Sequence, residues 1–399
     1  MDKKTVRDLG ADQLRGKRAL VRVDFNVPLD ERQAVSDDTR IRAALPTIEF
    51  LLDKGARVVL LSHLGRPKGK PEQKYSLEPV SRRLQQLLPK KRVCFVESTD
   101  TDEALKATHD ATTDVLLLEN TRFLGGEEKN DPRLARGLAE LGDLFVNDAF
   151  GSAHRAHAST EGLAHHLRPA VAGLLMEAEL EYLGKALTAP KRPFVAILGG
   201  AKISGKIDVI ENMLPKVDRM LVGGAMACTF FRAMGLETGK SLVEEDRIEM
   251  AKAMLERAGT KLVLPDDAVV APSLEAAGRA RPVSRNAIPR DEAMFDVGPA
   301  TRTRFQKEIE SAKTVIWNGP MGVFETPPFD AGTASVAQAM ASATKRGAIT
   351  IVGGGDSAAA VAQLGLEGNM THVSTGGGAS LEFLEGKTLP GVAALDDRD

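Results

Sequence analysis

The stretch that decides the fold is Ile349-Thr350-Ile351-Val352-Gly353-Gly354-Gly355-Asp356-Ser357, which continues as Ala358-Ala359-Ala360-Val361. A β-branched apolar run gives way to glycines and then to alanines, which predicts a strand, a tight turn and the start of a helix. The free N–H groups of a helix start, with the positive end of its dipole, form a site for phosphate. Glycine lets the backbone approach that anion closely.

Asp356 is unexpected in this turn, because a carboxylate repels a phosphate unless a cation lies between them. The stretch therefore favours a Mg²⁺–nucleotide site with Asp356 on the metal side. The alternative is an ordinary strand–helix turn in which Asp356 caps the helix.

The same turn satisfies the dinucleotide fingerprint G-x-G-x-x-A from Gly353 to Ala358, which would indicate an NAD-dependent dehydrogenase. That fingerprint expects an acidic residue about 20 positions further on. Here the next predicted strand ends in Ser374-Thr375 and runs into Gly376-Gly377-Gly378, a second turn suited to phosphate. The dinucleotide interpretation is weakened.

A second glycine-rich turn, Gly199-Gly200-Ala201-Lys202-Ile203-Ser204-Gly205-Lys206-Ile207, matches the start of a P-loop. Ile207 stands where the P-loop needs a hydroxyl for Mg²⁺, so the match is accidental. What remains is a turn that places Lys202 and Lys206 one helical turn apart beside a phosphate chain.

Composition limits the class of protein. A length of 399 residues favours two domains, and a formal charge of −2 excludes a globally basic nucleic-acid binder. The 2 cysteines show neither a disulfide framework nor zinc spacing, which favours a cytoplasmic location. We expect no signal sequence, because Met1-Asp2-Lys3-Lys4 leads into polar sequence, and no run of about 18 apolar residues is present to cross a membrane.

Short apolar strands alternate with amphipathic helical patterns along the chain, which indicates parallel sheets covered by helices on both faces. An uninterrupted helical pattern over 174–187 is followed by Ala189-Pro190-Lys191-Arg192-Pro193 and marks a break. We therefore predict an α/β protein with two doubly wound, Rossmann-like parallel-sheet domains joined by a helix. The predicted strands are 19–23, 57–61, 93–96, 115–118, 144–147, 194–198, 219–222, 261–264, 314–316, 349–352 and 371–374, and helical patterns include 41–54, 77–88 and 244–258.

Ligands of open α/β sheets bind beyond the carboxyl ends of the strands. Basic side chains recur there in the first half, although one arginine at a strand end is usually only solvated. Several at one sheet edge predict a site for a small, multiply anionic molecule, because arginine suits phosphate and carboxylate. We call this set the basic edge: Arg40, His63, Arg66, Arg122 and Arg155. The nearby histidines fit no zinc spacing: His154, His157, His165 and His166.

The second half has a glycine-rich edge. Besides the turns above, Gly223-Gly224-Ala225-Met226 offers small residues that can admit a flat base, and Trp317 opens a glycine-containing segment that ends at Glu325. Glu325 is suited to accept hydrogen bonds from ribose hydroxyls, with an ordinary surface glutamate as the alternative. Together these turns predict a nucleotide site.

The chain resembles phosphoglycerate kinases over essentially its whole length. The resemblance is carried, in family order, by Val23-Asp24-Phe25-Asn26-Val27-Pro28 and by residues 63–67, 118–120, 126–130, 147–160, 199–202, 317–325, 353–357 and 374–380. It implies two domains with a cleft between them, and reversible phosphoryl transfer in glycolysis between MgATP and the carboxylate of 3-phosphoglycerate, giving 1,3-bisphosphoglycerate and MgADP. It also implies a cytoplasmic monomer with no nucleic-acid or membrane partner.

The resemblance implies domain bounds of 1–172 for 3-phosphoglycerate, 173–189 for the linking helix and 190–379 for the nucleotide, with 380–399 returning to the first domain. The implied catalytic residues are Arg40, Lys202, Lys206, Gly354 and Gly378. The implied 3-phosphoglycerate residues are Asp24, Phe25, Asn26, Arg40, His63, Leu64, Gly65, Arg66, Arg122 and Arg155. The implied nucleotide residues are Lys206, Gly224, Met294, Asn318, Glu325, Gly354, Gly355, Asp356 and Ser357, with Asp356 on Mg²⁺.

The chain departs from the family pattern at Gly205, Ala225, Cys228 and Met294, all of which concern the adenosine pocket. The residue inventory suits the reaction, because a carboxylate acceptor with a pKa of about 4 is ionised at neutral pH and needs no general base. Two other hypotheses remain: an NAD-dependent dehydrogenase, and a nucleotide-binding protein without catalysis.

Overall fold

The computed structural model describes residues 2–98 and 101–398. The chain forms two compact units: unit 1 comprises Met1–Glu181 and Thr388–Asp399, and unit 2 comprises Tyr182–Lys387. Each unit contains a 6-stranded sheet in which every paired strand is parallel. The predicted fold class, two parallel-sheet α/β domains, is confirmed.

The sheet of unit 1 has the strand order β3-β4-β2-β1-β5-β6. Its central strands are almost wholly buried, because helices cover both faces of a parallel sheet and every side chain then meets apolar neighbours. Its strands are β1 (Arg18–Arg22), β2 (Arg57–Leu61), β3 (Val93–Val96), β4 (Val115–Leu118), β5 (Leu144–Asn147) and β6 (Ala170–Ala172). Its helices are α1 (Ala11–Leu14), α2 (Thr39–Asp53), α3 (Glu78–Leu87), α4 (Thr101–Thr108) and α5 (Pro132–Ala139), followed by α6 (Leu174–Thr188), which contains the unit boundary.

The main sheet of unit 2 has the order β15-β14-β13-β7-β8-β9, and a separate antiparallel sheet has the order β11-β10-β12. The strands are β7 (Phe194–Leu198), β8 (Arg219–Val222), β9 (Leu262–Val263), β10 (Asp267–Ala271), β11 (Arg281–Ser284), β12 (Ala293–Val297), β13 (Thr314–Asn318), β14 (Ile349–Gly353) and β15 (His372–Val373). The helices are α7 (Ile207–Met213), α8 (Met226–Ala233), α9 (Ile248–Ala258), α10 (Pro299–Ser311), α11 (Ala331–Lys345), α12 (Gly355–Gln363) and α13 (Gly378–Leu384).

The segment after unit 2 returns to unit 1, where it forms α14 (Pro390–Ala393). The backbone of Lys4 donates to the carbonyl of Asp396 over 2.8 Å, and that of Asp396 donates to the carbonyl of Ala170 over 2.8 Å. The side-chain amide of Asn147 at the end of β5 donates to the carbonyl of Gly391 over 2.9 Å. Residues 388–398 are therefore part of the fold of unit 1.

Several elements differ from the sequence prediction. The antiparallel sheet and β6 were not predicted, because β6 is only three residues long, too short to show a period, and β11 is largely exposed and shows no apolar pattern. The helix predicted over 244–258 begins at Ile248, after a 3₁₀ turn over Glu245–Arg247. Within the part of the chain that the structure describes, no helix has the length and apolar character needed to cross a membrane.

Candidate functional site

The loops after β1 and β2 are tied to the start of α2. Arg40, in the first turn of α2, donates from Nη1 to the carboxylate of Asp24 and to the carbonyl of Asn26, each over 3.2 Å. The side-chain oxygen of Asn26 accepts from the backbone N–H of Gly65 over 2.9 Å. The structure thus joins three segments that the sequence places far apart.

Arg122 is fixed inside the same edge. It follows β4, is buried, and donates from Nη1 to the carbonyl of Gly65 over 2.7 Å, while its Nε faces the Glu128 carboxylate at 3.5 Å. Asn120 holds this loop, because its amide donates to the carbonyl of Leu64 over 2.7 Å and its oxygen accepts from the backbone of Arg122 over 3.0 Å. Leu64 and Gly65 therefore take part in the site through their backbone carbonyl groups, which accept these hydrogen bonds.

Phe25 is a core residue, fully buried, whose backbone N–H donates to Ser62 Oγ over 2.9 Å. His63 is also buried. Burial lowers the pKa of His63 well below its usual value, and nearby positive charges lower it further. His63 is therefore neutral at physiological pH.

The remaining members of the basic edge are exposed. The guanidinium of Arg66 makes no hydrogen bond or ion pair with residues 2–98 or 101–398, and Arg155 donates from Nε to His154 Nε2 over 3.2 Å. The charge of Arg155 lowers the pKa of Arg122, as does the burial of Arg122, so the cations lie close enough to repel. The edge thus combines anchored cations with cations that can reach for a ligand.

Sequence reasoning missed Arg22, the last residue of β1, which is 1% exposed and lies beside His63. It also gave no role to Glu127, whose buried carboxylate accepts from the backbone of Ser159 over 3.0 Å. A lone arginine within the apolar run of β1 was the available signal, since charged residues are rarely fully buried without a partner.

In unit 2, many glycines of the glycine-rich edge are required by packing. A Cβ on Gly199 would lie 2.1 Å from the carbonyl oxygen of Pro320. A Cβ on Gly224, whose φ is +71°, would lie 2.4 Å from the carbonyl oxygen of Gly200. These turns pack backbone against backbone, so part of the glycine signal reflects the fold and not a ligand.

The turn after β14 is different. Gly354 has φ of +91° and precedes α12, as predicted, and a Cβ on Gly355 would meet nothing within 4 Å. Ser357 is buried, and its Oγ accepts from the backbone of Gly319 over 2.7 Å, so its side chain is used within the protein. Asp356 is exposed. Open space at a helix N-terminus leaves room for an anion.

A second helix start of this kind lies after β15. Gly377 precedes α13 with φ of +51°, and a Cβ at that position would also meet nothing within 4 Å. Gly378 is the first residue of α13.

Lys206 and Asn318 form the polar floor of this edge. The ammonium group of Lys206 donates to the side-chain oxygen of Asn318. Burial lowers the pKa of Lys206 to about 8, against the opposing effect of the Asp356 and Glu385 carboxylates. Among the described residues, the buried Asn318 Nδ2 has no hydrogen-bond acceptor. A buried donor without an acceptor suits an anionic ligand. Lys202 is exposed.

A cavity of about 580 Å³ adjoins this floor. It is lined by four of the predicted nucleotide residues, Gly224, Met294, Glu325 and Asp356, and by others that include Lys240, Leu242 and Val323, which the sequence did not indicate. The volume and the mainly apolar lining suit a nucleoside.

Two of the departures from the family pattern touch each other. The Cys228 Sγ lies 3.7 Å from the Met294 Sδ, and the backbone of Met294 donates to Ser241 Oγ over 2.9 Å. Burial raises the pKa of the Cys228 thiol to about 11, so that thiol is unreactive.

The model of the family described as phosphoglycerate kinase matches residues 6–387. The chain belongs to the phosphoglycerate kinase family. The predicted enzyme class, a glycolytic phosphotransferase of this family, is confirmed, and the dehydrogenase alternative is not favoured.

Individual relatives agree with the family match. A phosphoglycerate kinase of Chloroflexus aggregans is 59% identical over 404 aligned residues, and one of Chlorobium limicola is 55% identical over 400, each covering 100% of both chains. The structure of phosphoglycerate kinase from Coxiella burnetii superposes with a TM-score of 0.87 at 44% identity, and that from Pyrococcus horikoshii with 0.83 at 31%. In each case the alignment covers 98% of this chain and 98% of the solved chain.

Proposed function

We propose that this chain catalyses reversible phosphoryl transfer between MgATP and the carboxylate of 3-phosphoglycerate, giving MgADP and 1,3-bisphosphoglycerate. The observation that carries the proposal is the chemical contrast between its two ligand edges. Unit 1 presents arginines that suit a small anion, and unit 2 presents a cavity beside an open helix N-terminus. Membership of the family supports the same pair of substrates.

In this proposal, 3-phosphoglycerate binds to the basic edge and to the loop that holds it. Arg66 and Arg155 are exposed and reach for its anionic groups, while the anchored Arg40 and Arg122 fix its orientation. The Asp24 carboxylate accepts a hydrogen bond from the substrate hydroxyl. Asn26, Phe25, Leu64 and Gly65 shape the loop in which His63 donates to the ligand.

The nucleotide binds in unit 2. Its base lies in the cavity between Gly224 and Met294, its ribose hydroxyls donate to Glu325, and its phosphates lie along the start of α12, from Gly354 to Ser357. Lys206 and the orphaned amide of Asn318 face the phosphates. We assign the nucleotide to 190–379 and 3-phosphoglycerate to 1–172, with the linking helix over 173–189; of the segment 380–399, the part that joins unit 1 begins at Thr388.

The donor set fits Mg²⁺ brought in with the nucleotide. Among the described residues there is no group of three or more side chains that could hold a metal ion, and Asp356 is an exposed carboxylate at the phosphate turn. Mg²⁺ commonly takes one or two carboxylates together with substrate phosphates, so Asp356 is the residue that would hold it. When bound, the ion neutralises charge on the phosphate oxygens.

The chemistry of the acceptor removes the need for a base, because its carboxylate is already ionised. The protein contributes orientation and charge stabilisation of the transferring group. We assign that stabilisation to the side chains of Arg40, Lys202 and Lys206 and to the backbone at Gly354 and Gly378. The enzyme works as a monomer in the cytoplasm, a location supported by its two free cysteines.

A coupled assay tests the proposal. Purified protein is given MgATP and 3-phosphoglycerate, and the acyl phosphate is reduced by a coupling dehydrogenase at the expense of NADH. We expect NADH oxidation that requires both substrates. Nucleotide binding without acyl phosphate would support the non-catalytic hypothesis, and NAD reduction by a hydroxy acid without ATP would support a dehydrogenase.

A further inference from the structure

Arg22 is a buried cation to which the proposed function gives no role. It ends β1 at the carboxyl edge of the sheet, and its side chain is among the largest fully buried ones of the protein. Burying an arginine is costly unless each N–H group finds an acceptor. Its contacts therefore show what the position requires.

The guanidinium is held on several sides. Its Nε donates to Ser159 Oγ over 2.8 Å, and its Nη1 donates to the carbonyl of Val23. Ser159 in turn donates from its hydroxyl and its backbone to the buried Glu127 carboxylate. This chain of hydrogen bonds fixes the plane of the guanidinium and leaves Nη2 facing His63, at 3.1 Å from Nδ1.

That contact decides where the imidazole carries its proton. Arginine has donors and no acceptor, so His63 must accept at Nδ1, and a neutral imidazole that accepts there carries its hydrogen on Nε2. We propose that Arg22 is a positioning residue that holds His63 in the Nε2–H tautomer and so makes it a hydrogen-bond donor to the anionic substrate of the basic edge. The proposal rests on the proposed function for the identity of that substrate.

The surroundings of His63 favour the neutral donor. The charged and titratable groups that face it are Arg22 on β1, Arg40 on α2, Arg122 after β4, and His157. Burial and these cations lower the pKa of His63, so it does not gain a second proton at neutral pH. In the described part of the chain nothing accepts from Nε2, so that N–H is available to a ligand oxygen.

The first measurement uses the unaltered full-length chain with ¹⁵N-labelled histidine, whose protonated and bare ring nitrogens resonate far apart. His63→Gln identifies the His63 signals by their loss. We expect a bare Nδ1 and a protonated Nε2 at pH 7, in the free protein and with 3-phosphoglycerate. A protonated Nδ1 would overturn the proposal, and this result is independent of catalytic activity.

The second measurement removes the positioning group. Arg22→Met should give His63 signals of mixed tautomers and a raised pKa, whereas Arg22→Lys keeps a cationic donor without an acceptor and should retain more of the Nε2–H tautomer. In Arg22→Met, the KM for 3-phosphoglycerate should rise roughly three- to tenfold and become dependent on pH, with the KM for ATP unchanged. Arg18→Met is the matched control, because Arg18 starts the same strand and is held by Asp143.

The outcomes separate the two proposals. If His63 keeps a single Nε2–H tautomer and the KM stays at its original value in folded Arg22→Met, Arg22 does not position it. If the unaltered protein shows the expected tautomer but forms no acyl phosphate, the proposed function fails while the assignment of the tautomer stands.

Discussion

The basic edge of unit 1 and the glycine-rich edge of unit 2 both suit an anion, but they use different parts of the chain to bind it. In unit 1, side chains carry the charge, and anchoring bonds such as that from Arg122 to the Gly65 carbonyl set their directions. In unit 2, backbone forms much of the edge, and the turns pack so tightly at Gly199 and Gly224 that an added Cβ would collide with a neighbouring carbonyl oxygen. The first edge separates binding from folding, whereas in the second the glycines that pack against other backbone, such as Gly199 and Gly224, serve the fold as well as the site.

The largest effect on activity should come from a substitution in the basic edge of unit 1. Arg40→Ala should lower kcat by about 10²- to 10³-fold, because it removes charge stabilisation from the transferring group. Its ion pair with Asp24 is partly exposed, so the free energy of unfolding should change by less than about 1 kcal/mol. Steady-state kinetics and urea titration measure both quantities.

Arg42→Ala provides the control for Arg40. Arg42 lies on the same helix and pairs with Asp38 at the surface, so its loss should leave kcat intact. A rise in the KM for 3-phosphoglycerate with an unchanged kcat in Arg40→Ala would show that Arg40 serves binding only.

In the glycine-rich edge of unit 2, substitution of a packed glycine should lower stability more than a substitution in the basic edge does. Gly224→Ala should lower the free energy of unfolding by about 2–4 kcal/mol, because the added Cβ meets the Gly200 backbone at positive φ. Gly355→Ala should leave stability within about 0.5 kcal/mol and raise the KM for ATP, because its Cβ fills only the open space left for phosphate. Thermal unfolding and kinetics of both variants test the contrast, which equal stability losses would contradict.

A smaller effect should show whether Asp356 meets the metal or only favours the dipole of α12, since the N-cap of that helix is Gly354 and Asp356 lies in its first turn. Asp356→Asn should raise the Mg²⁺ concentration needed for half-maximal rate about tenfold, because the lost charge faces the ion, while metal-free nucleotide binding is preserved. A carboxylate that only favoured the helix dipole would leave the Mg²⁺ dependence unchanged when replaced by asparagine. Asp208→Asn, an exposed position at the start of α7, is the control for a magnesium titration.

The smallest effect is the destabilisation of the folded state by the half-buried ammonium group of Lys206. The pKa of Lys206 is about 8 in the folded protein, below its ordinary value of 10.5, so folding disfavours its proton. This penalty is fully present below pH 8 and disappears as the pH rises above 10.5. Lys206→Met should therefore raise the free energy of unfolding at pH 7 by on the order of 1 kcal/mol.

Lys202→Met is the matched control, because Lys202 is exposed and its substitution should leave the free energy of unfolding unchanged. Denaturant titrations at pH 7 and pH 10 check the sign: the difference between Lys206→Met and the original chain should shrink at the higher pH. A larger difference at pH 10 would show that burial of the ammonium is not the cause.

Sequence sufficed for the parts of the molecule that depend on local pattern. The apolar runs located the central strands, and because parallel strands end at one edge, the residues after them could be grouped before any coordinates were known. The stretch from Ile349 to Val361 predicted a strand, a tight turn and a helix start in that order, and the structure has the helix begin at Gly355 with Gly354 as its N-cap.

The parts that depend on contacts between distant segments could not be predicted. An arginine in the apolar run of β1 was a signal without an explanation, and only the packing of Ser159 and Glu127 shows that Arg22 is held inside. The glycines of unit 2 looked alike in sequence, yet Gly224 faces another backbone and Gly355 faces open space. Whether a glycine serves a ligand or a neighbour is decided by tertiary structure.

The return of residues 388–398 to unit 1 has a consequence for biosynthesis. A ribosome delivers all of Tyr182–Lys387 before it makes the residues that bond to Lys4 and Ala170. Chains emerge at roughly 5–20 residues per second, and domains fold as units. Unit 2, although translated second, can therefore reach its complete fold first, while unit 1 waits for its closing segment.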